Sequence, residues 1–221
     1  MIPESALKGA GFCIFDLDGT LADTEPLHWK AYGVLLERLY GVRLDGDHIR
    51  KYIGLTEDVI YRMIESDYGI SINDDQFLHD RLEAYLRLVE DCDLKANAWV
   101  GEFFSAHPDT VNMLLTSQVP HIANRMLRHL GLDGRFDERL RISAYKSALS
   151  KSDVLHNPIP HFRAVCPDLK PEDVPPGSIV VFEDAQRYCR IAKECGWTAI
   201  GISHSLNRGT LTCCDAVIEI G

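Results

Sequence analysis

Residues Phe12 to Phe15 form a continuous apolar run that stops at Asp16, with Asp18-Gly19 immediately beyond. Four apolar residues without alternation bury both faces of a strand, as in a parallel sheet covered by helices on both sides. Asp-Gly marks the turn that ends it. Parallel partners need crossover connections, so the chain is expected to alternate strands with helices. The C-terminal half fits that demand. Val111 to Leu115 reads as a strand ending in Thr116-Ser117, and Ile179 to Phe182 as one ending in Glu183-Asp184. Further strands are expected over Thr198 to Ile202 and Ala216 to Ile220. Pro120 opens a helix whose inward face is Ile122, Met126, Leu127 and Leu130, and a second helix covers roughly 185–195. Right-handed crossovers then give an α/β, Rossmann-like parallel sheet.

Between the first two strands the pattern is helical throughout. Thr24 and Pro26 open a helix whose apolar positions are Leu27, Ala31, Leu35 and Leu39, and Gly41 closes it. Three-to-four spacing continues through Ile60, Met63 and Ile64 and through Leu78, Leu82, Tyr85, Leu86 and Val89. The expected division is a core of residues 1–21 and 95–221 with an all-helical domain inserted at 22–94. The proline-rich stretch 143–176 has little periodicity and yields no assignment.

Charge bounds the partners. The formal net charge is −10, and residues 22–94 hold 16 acidic against 8 basic side chains. A chain this acidic lacks the sequence-independent phosphate grip of nucleic-acid binding. No run of eighteen apolar residues provides a membrane span, and the N-terminus has no secretory pattern. Seven cysteines without a CxxC pair read as reduced thiols in a cytoplasmic protein.

In an open parallel sheet, ligands bind beyond the carboxyl ends of the strands. Asp16, Asp18, Glu183 and Asp184 would therefore meet at one edge with Thr116 and Ser117. Gathered carboxylates repel one another. A hard divalent cation relieves that repulsion, and an oxygen-only donor set points to Mg²⁺. A carboxylate nucleophile beside Mg²⁺ suits phosphoryl transfer through an aspartyl-phosphate.

FDLDGTLADTEP resembles the first motif of the haloacid dehalogenase superfamily, in its phosphatase and phosphomutase branch; LLTSQ resembles the second and VVFEDA the fourth. The helical insert then stands where that family carries a cap domain. The resemblance implies that Asp16 is nucleophile and metal ligand, and that Asp18 is general acid and base with its carbonyl on the metal. It puts Thr116 and Ser117 on the phosphoryl oxygens and Glu183 and Asp184 on Mg²⁺. His28, Lys51, Tyr52, Gly54 and Thr56 fall where the family's cap contacts substrate. The third motif usually supplies a lysine before Pro-x-Pro, but Asn157 stands at that place in Asn157-Pro158-Ile159-Pro160. Lys146 and Lys151 lie upstream, and Lys151 stands at about the family's distance from Ser143. The implied activity is Mg²⁺-dependent hydrolysis of a small phosphate monoester, such as a sugar phosphate. The alternatives are a sugar-phosphate mutase of the β-phosphoglucomutase type and a catalytically weakened binding protein.

Overall fold

The computed structural model describes residues 2–7, 9–52 and 57–220. A short helix α1 (Glu4–Leu7) leads into β1 (Phe12–Phe15). Four helices follow: α2 (Glu25–Tyr40), α3 (Gly46–Tyr52), α4 (Glu57–Tyr68) and α5 (Asp74–Asp91). The remaining elements alternate: α6 (Ala98–Ala106), β2 (Val111–Thr116), α7 (Pro120–His129), β3 (Arg141–Ser143), α8 (Lys151–His156), α9 (Ile159–Phe162), β4 (Ile179–Glu183), α10 (Gln186–Glu194), β5 (Thr198–Ser203) and β6 (Ala216–Glu219). The chain separates into two compact units, 1–23 with 94–221 and 24–93.

The first unit is built on a six-stranded sheet of order β3-β2-β1-β4-β5-β6, every pair parallel. Its two faces are closed by side chains that alternate along the strands. On one face Phe15 stacks on Phe182 at 4.6 Å between ring centres, and Trp99 and Phe103 from α6 close over them. On the other, Ile14, Met113, Leu115 and Val181 pack with Val154 and Leu155 of α8, Phe162 of α9 and Cys189 of α10. Full burial of one such aliphatic or phenyl side chain contributes roughly 1.5–3 kcal/mol, so the central strands are the most firmly held part of the unit.

The second unit contains only helices among its described residues. Its interior joins Trp29, Tyr32, Leu35 and Leu36 of α2 to Tyr61 and Ile64 of α4 and to Phe77, Tyr85 and Val89 of α5. The expected α2 stripe is only half right. Ala31 and Leu35 are buried, but Leu39 is 46% exposed and the inward face is set by Trp29, Tyr32 and Leu36. The larger aromatic surfaces take the interior, and the stripe rotates to accommodate them. Arg81 is buried in this unit, ion-paired with Glu57 at 2.5 Å and lying over the Tyr32 ring.

Candidate active site

Strand order reverses between β1 and β4, where crossovers depart in opposite directions and leave a crevice beyond the strand ends. Asp16 is the first residue past β1, and its N–H donates to the Phe182 carbonyl at 3.0 Å. Glu183 ends β4. Asp16, Glu183 and Asp184 each present an oxygen within 4.8 Å of the others. Lys151 enters the same cluster, with Nζ 2.7 Å from Asp16 Oδ1, 2.6 Å from Glu183 Oε2 and 4.6 Å from the centre of the Tyr188 ring. All three side chains are buried: Lys151 is 4%, Asp16 7% and Glu183 1% exposed.

One buried cation between two buried carboxylates leaves a net negative charge away from water. Burial disfavours the Lys151 ammonium, but Asp16 and Glu183 outweigh it and hold Lys151 above its usual range. The surplus negative charge falls on the acids. Burial pushes Asp16 up to about 7 against the pull of Lys151, with Glu183 adding to the rise. Burial likewise raises Glu183 to about 7, and Asp184 adds to it. A divalent cation fits this donor set, because it supplies the missing positive charge through oxygen ligands alone.

A pH dependence follows. Between about pH 4 and pH 7 these two acids hold more protons folded than unfolded, so the metal-free protein loses their contribution to stability as pH rises. Protons and metal compete for the same oxygens. The rise in melting temperature on replacing EDTA by excess Mg²⁺ should therefore be larger at about pH 8 than at about pH 5. Equal shifts at both pH values would contradict metal binding at these carboxylates.

Asp18 is half-buried, and Gln118 Nε2 donates to its Oδ2 at 3.2 Å. Gln118 also places the end of β2. Its N–H donates to Thr116 Oγ1 at 3.0 Å, and its carbonyl accepts from Ser143 Oγ at 2.7 Å. Thr116 is buried and Ser117 exposed. Gly19 has φ +73, and a Cβ there would lie 2.6 Å from Asp184 Oδ2. Glycine is thus required both by the left-handed backbone and by the close approach of the Asp184 carboxylate.

Lys151 reaches the cluster as the first residue of α8, in the stretch that yielded no sequence assignment. Ser150 and Asp153 form a reciprocal capping box, with Asp153 N–H on Ser150 Oγ at 3.2 Å and Ser150 N–H on Asp153 Oδ2 at 2.8 Å. The Ser-x-x-Asp spacing of Ser150-Lys151-Ser152-Asp153 is the signal that could have placed this helix. Trp197 Nε1 fixes it from β5's entrance by donating to the Leu155 carbonyl at 3.1 Å. Lys146 is exposed, with φ 47 and its ammonium over the Tyr145 ring. Asn157 is the exposed C-cap of α8.

Within the helical unit, His28 stacks on Tyr85 at 4.0 Å between ring centres, and Arg81 donates toward its Nδ1 at 3.4 Å. Lys51 is exposed, its ammonium 4.0 Å from Asp67. Gly54 and Thr56 lie outside the described residues. His204 and Asn207, which follow β5, contact Asp184 and belong to no recognised motif.

The model of the family described as haloacid dehalogenase-like hydrolase matches residues 13–202. The chain belongs to that family. This haloacid dehalogenase-like hydrolase is 30% identical to the phosphorylated carbohydrates phosphatase of Thermotoga maritima over 94% of its own length and 90% of that protein's. It is 28% identical to the fructose-1-phosphate phosphatase YqaB of Escherichia coli, covering 86% of this chain and 94% of that one. The crystal structure of CbbY from Rhodobacter sphaeroides in complex with phosphate shares the hydrolase's fold, with a TM-score of 0.73 at 19% identity over 95% of this chain and 93% of that one. Among the described residues, no helix of the hydrolase is long and apolar enough to cross a membrane.

Proposed function

We propose that the protein is a Mg²⁺-dependent phosphatase acting on a small phosphate monoester, a sugar phosphate or similar metabolite, through an aspartyl-phosphate on Asp16. The observation that carries this reading is the buried Asp16–Lys151–Glu183 cluster, with Asp18 held at its edge by Gln118. Asp16 attacks phosphorus while the bond to the sugar oxygen breaks. Asp18, protonated, gives its proton to that leaving oxygen. Water then attacks the aspartyl-phosphate, Asp18 accepts the water's proton, and phosphate leaves with Asp16 restored. Lys151 neutralises Asp16 and the transferring phosphoryl oxygens, while Thr116 Oγ1 and the Ser117 N–H hold those oxygens from the end of β2. Asp16, Glu183 and Asp184, with the Asp18 carbonyl, would hold Mg²⁺, which when bound would supply charge neutralisation to the phosphoryl group. His28, Lys51 and Thr56 are the proposed substrate contacts of the helical unit.

The names of the two phosphatase relatives support a phosphorylated sugar as substrate. The test is a panel of hexose and pentose phosphates with Mg²⁺, following both inorganic phosphate and isomerised sugar phosphate. Release of phosphate is expected, and EDTA should abolish it. Isomer without net phosphate would replace this reading with a mutase. Silence across the whole panel would favour a binding protein.

A further inference from the structure

We propose that His204 and Asn207 are positioning residues that hold the Asp184 carboxylate in place for a divalent cation, an inference that rests on the metal-binding reading of the acidic cluster. Both lie just past β5, and both are buried, at 2% and 7% exposed. The His204 ring Nε2 stands 3.1 Å from Asp184 Oδ2. Its proton can be assigned from the other side of the ring. The Leu206 backbone N–H donates to His204 Nδ1 at 3.3 Å. A backbone N–H can only donate, so Nδ1 is an acceptor and the ring hydrogen sits on Nε2, directed at the carboxylate.

Asn207 fixes the frame around that bond. Its Nδ2 donates to the Asp184 carbonyl at 2.8 Å and to the Ile202 carbonyl at 2.9 Å, so one amide ties the residue after β4 to the end of β5. Its Oδ1 accepts the His204 N–H at 2.8 Å. The carboxylate is therefore held twice, at its own oxygen through His204 and at its backbone through Asn207. Gly19 closes the third side, where a Cβ would stand 2.6 Å from Oδ2 and 3.4 Å from His204 Nε2. Hydrogen-bonded partners of this kind orient metal ligands and set their affinity.

The test is Mn²⁺ binding to the metal-free protein, followed by electron paramagnetic resonance in the absence of substrate. The wild type should bind, and Asp184→Asn should weaken binding. His204→Asn keeps a polar group near Nδ1 but cannot reach Asp184, whereas His204→Gln returns a donor near Nε2. His204→Asn should lose about 10- to 100-fold in Mn²⁺ affinity, and His204→Gln should recover most of it. With saturating metal, KM for the sugar phosphate should stay at the wild-type value in both. Equal Mn²⁺ affinities in the two variants would overturn the positioning role while leaving the metal reading intact. A wild type that binds no Mn²⁺ overturns the metal reading and this inference with it. Should circular dichroism show His204→Asn unfolded, Asn207→Ser decides the matter, since it removes the amide and leaves the imidazole. Wild-type affinity in that variant would likewise overturn the role.

Discussion

Asp16→Asn should abolish turnover and leave the fold intact. An amide is no nucleophile toward phosphorus, so the covalent route is lost, and a loss on the order of 10⁴–10⁶ in kcat is expected by analogy with deleting a serine nucleophile. The substitution is also mild structurally. The amide keeps an oxygen that can accept from Lys151, whose Nζ stands 2.7 Å from Asp16 Oδ1 in the wild type. Removing one buried carboxylate leaves Lys151 and Glu183 as a balanced pair, so the surplus negative charge disappears. At neutral pH the metal-free variant should melt at the wild-type temperature or above it. Steady-state phosphate release and a thermal melt on the same preparation check both halves. Activity near the wild-type level, after exclusion of contaminating phosphatase, would remove Asp16 from the nucleophile's role.

Lys151→Ala should cost about 10²–10³ in kcat, the loss typical of removing one preorganised electrostatic donor. Lys151 is the buried cation that touches both Asp16 and Glu183, so its removal leaves two carboxylates facing each other out of water. They respond by taking up protons, which would disarm Asp16 as the proposed nucleophile on top of the loss of the Lys151 charge. Lys146→Ala is the matched control. Lys146 is exposed, so its loss should change kcat by less than about twofold. Far-UV circular dichroism in Mg²⁺ separates lost chemistry from lost structure. Similar rates in wild type and Lys151→Ala would transfer the clamp elsewhere.

The sheet and the acidic edge are legible in the sequence because each rests on a local pattern. Phe12–Phe15 and Ile179–Phe182 are uninterrupted apolar runs, and each stops at an acid. The register Phe15↔Phe182 brings those two acids to the same edge. Lys151 is harder to read. Its distance from Ser143 matches the family's and favours it over Lys146 without excluding that residue, and its burial depends on α8 packing through Val154 and Leu155, which no window of the sequence displays. Gln118 lies within the second motif and still shows nothing of its bond to Asp18, one hundred residues away. His204 and Asn207 are less legible again, since a polar residue in a loop after a strand is ordinary until a carboxylate from the neighbouring strand is placed beside it. In α2 the three-to-four spacing is satisfied by two overlapping stripes. Only packing against Phe77 and Tyr61 selects the one containing Tyr32.

The two chain crossings of the helical insert leave the sheet at one point, and that point is fastened. Asn97 N–H donates to the Leu21 carbonyl and Asn97 Nδ2 to the Thr20 carbonyl, both at 2.8 Å. The core thus joins the ends of the insert using its own hydrogen bonds. To the sheet, whatever lies between residues 24 and 93 is a loop already tied at the neck. The entropy of closing a flexible loop grows only with the logarithm of its length, about 0.6 kcal/mol for each doubling. Segments of very different size and content can be carried at this neck for nearly the same cost to the sheet. The segment beyond the knot and the residues along the strand ends can therefore change on separate evolutionary schedules, one by exchange of a whole helical unit, the other by single substitutions.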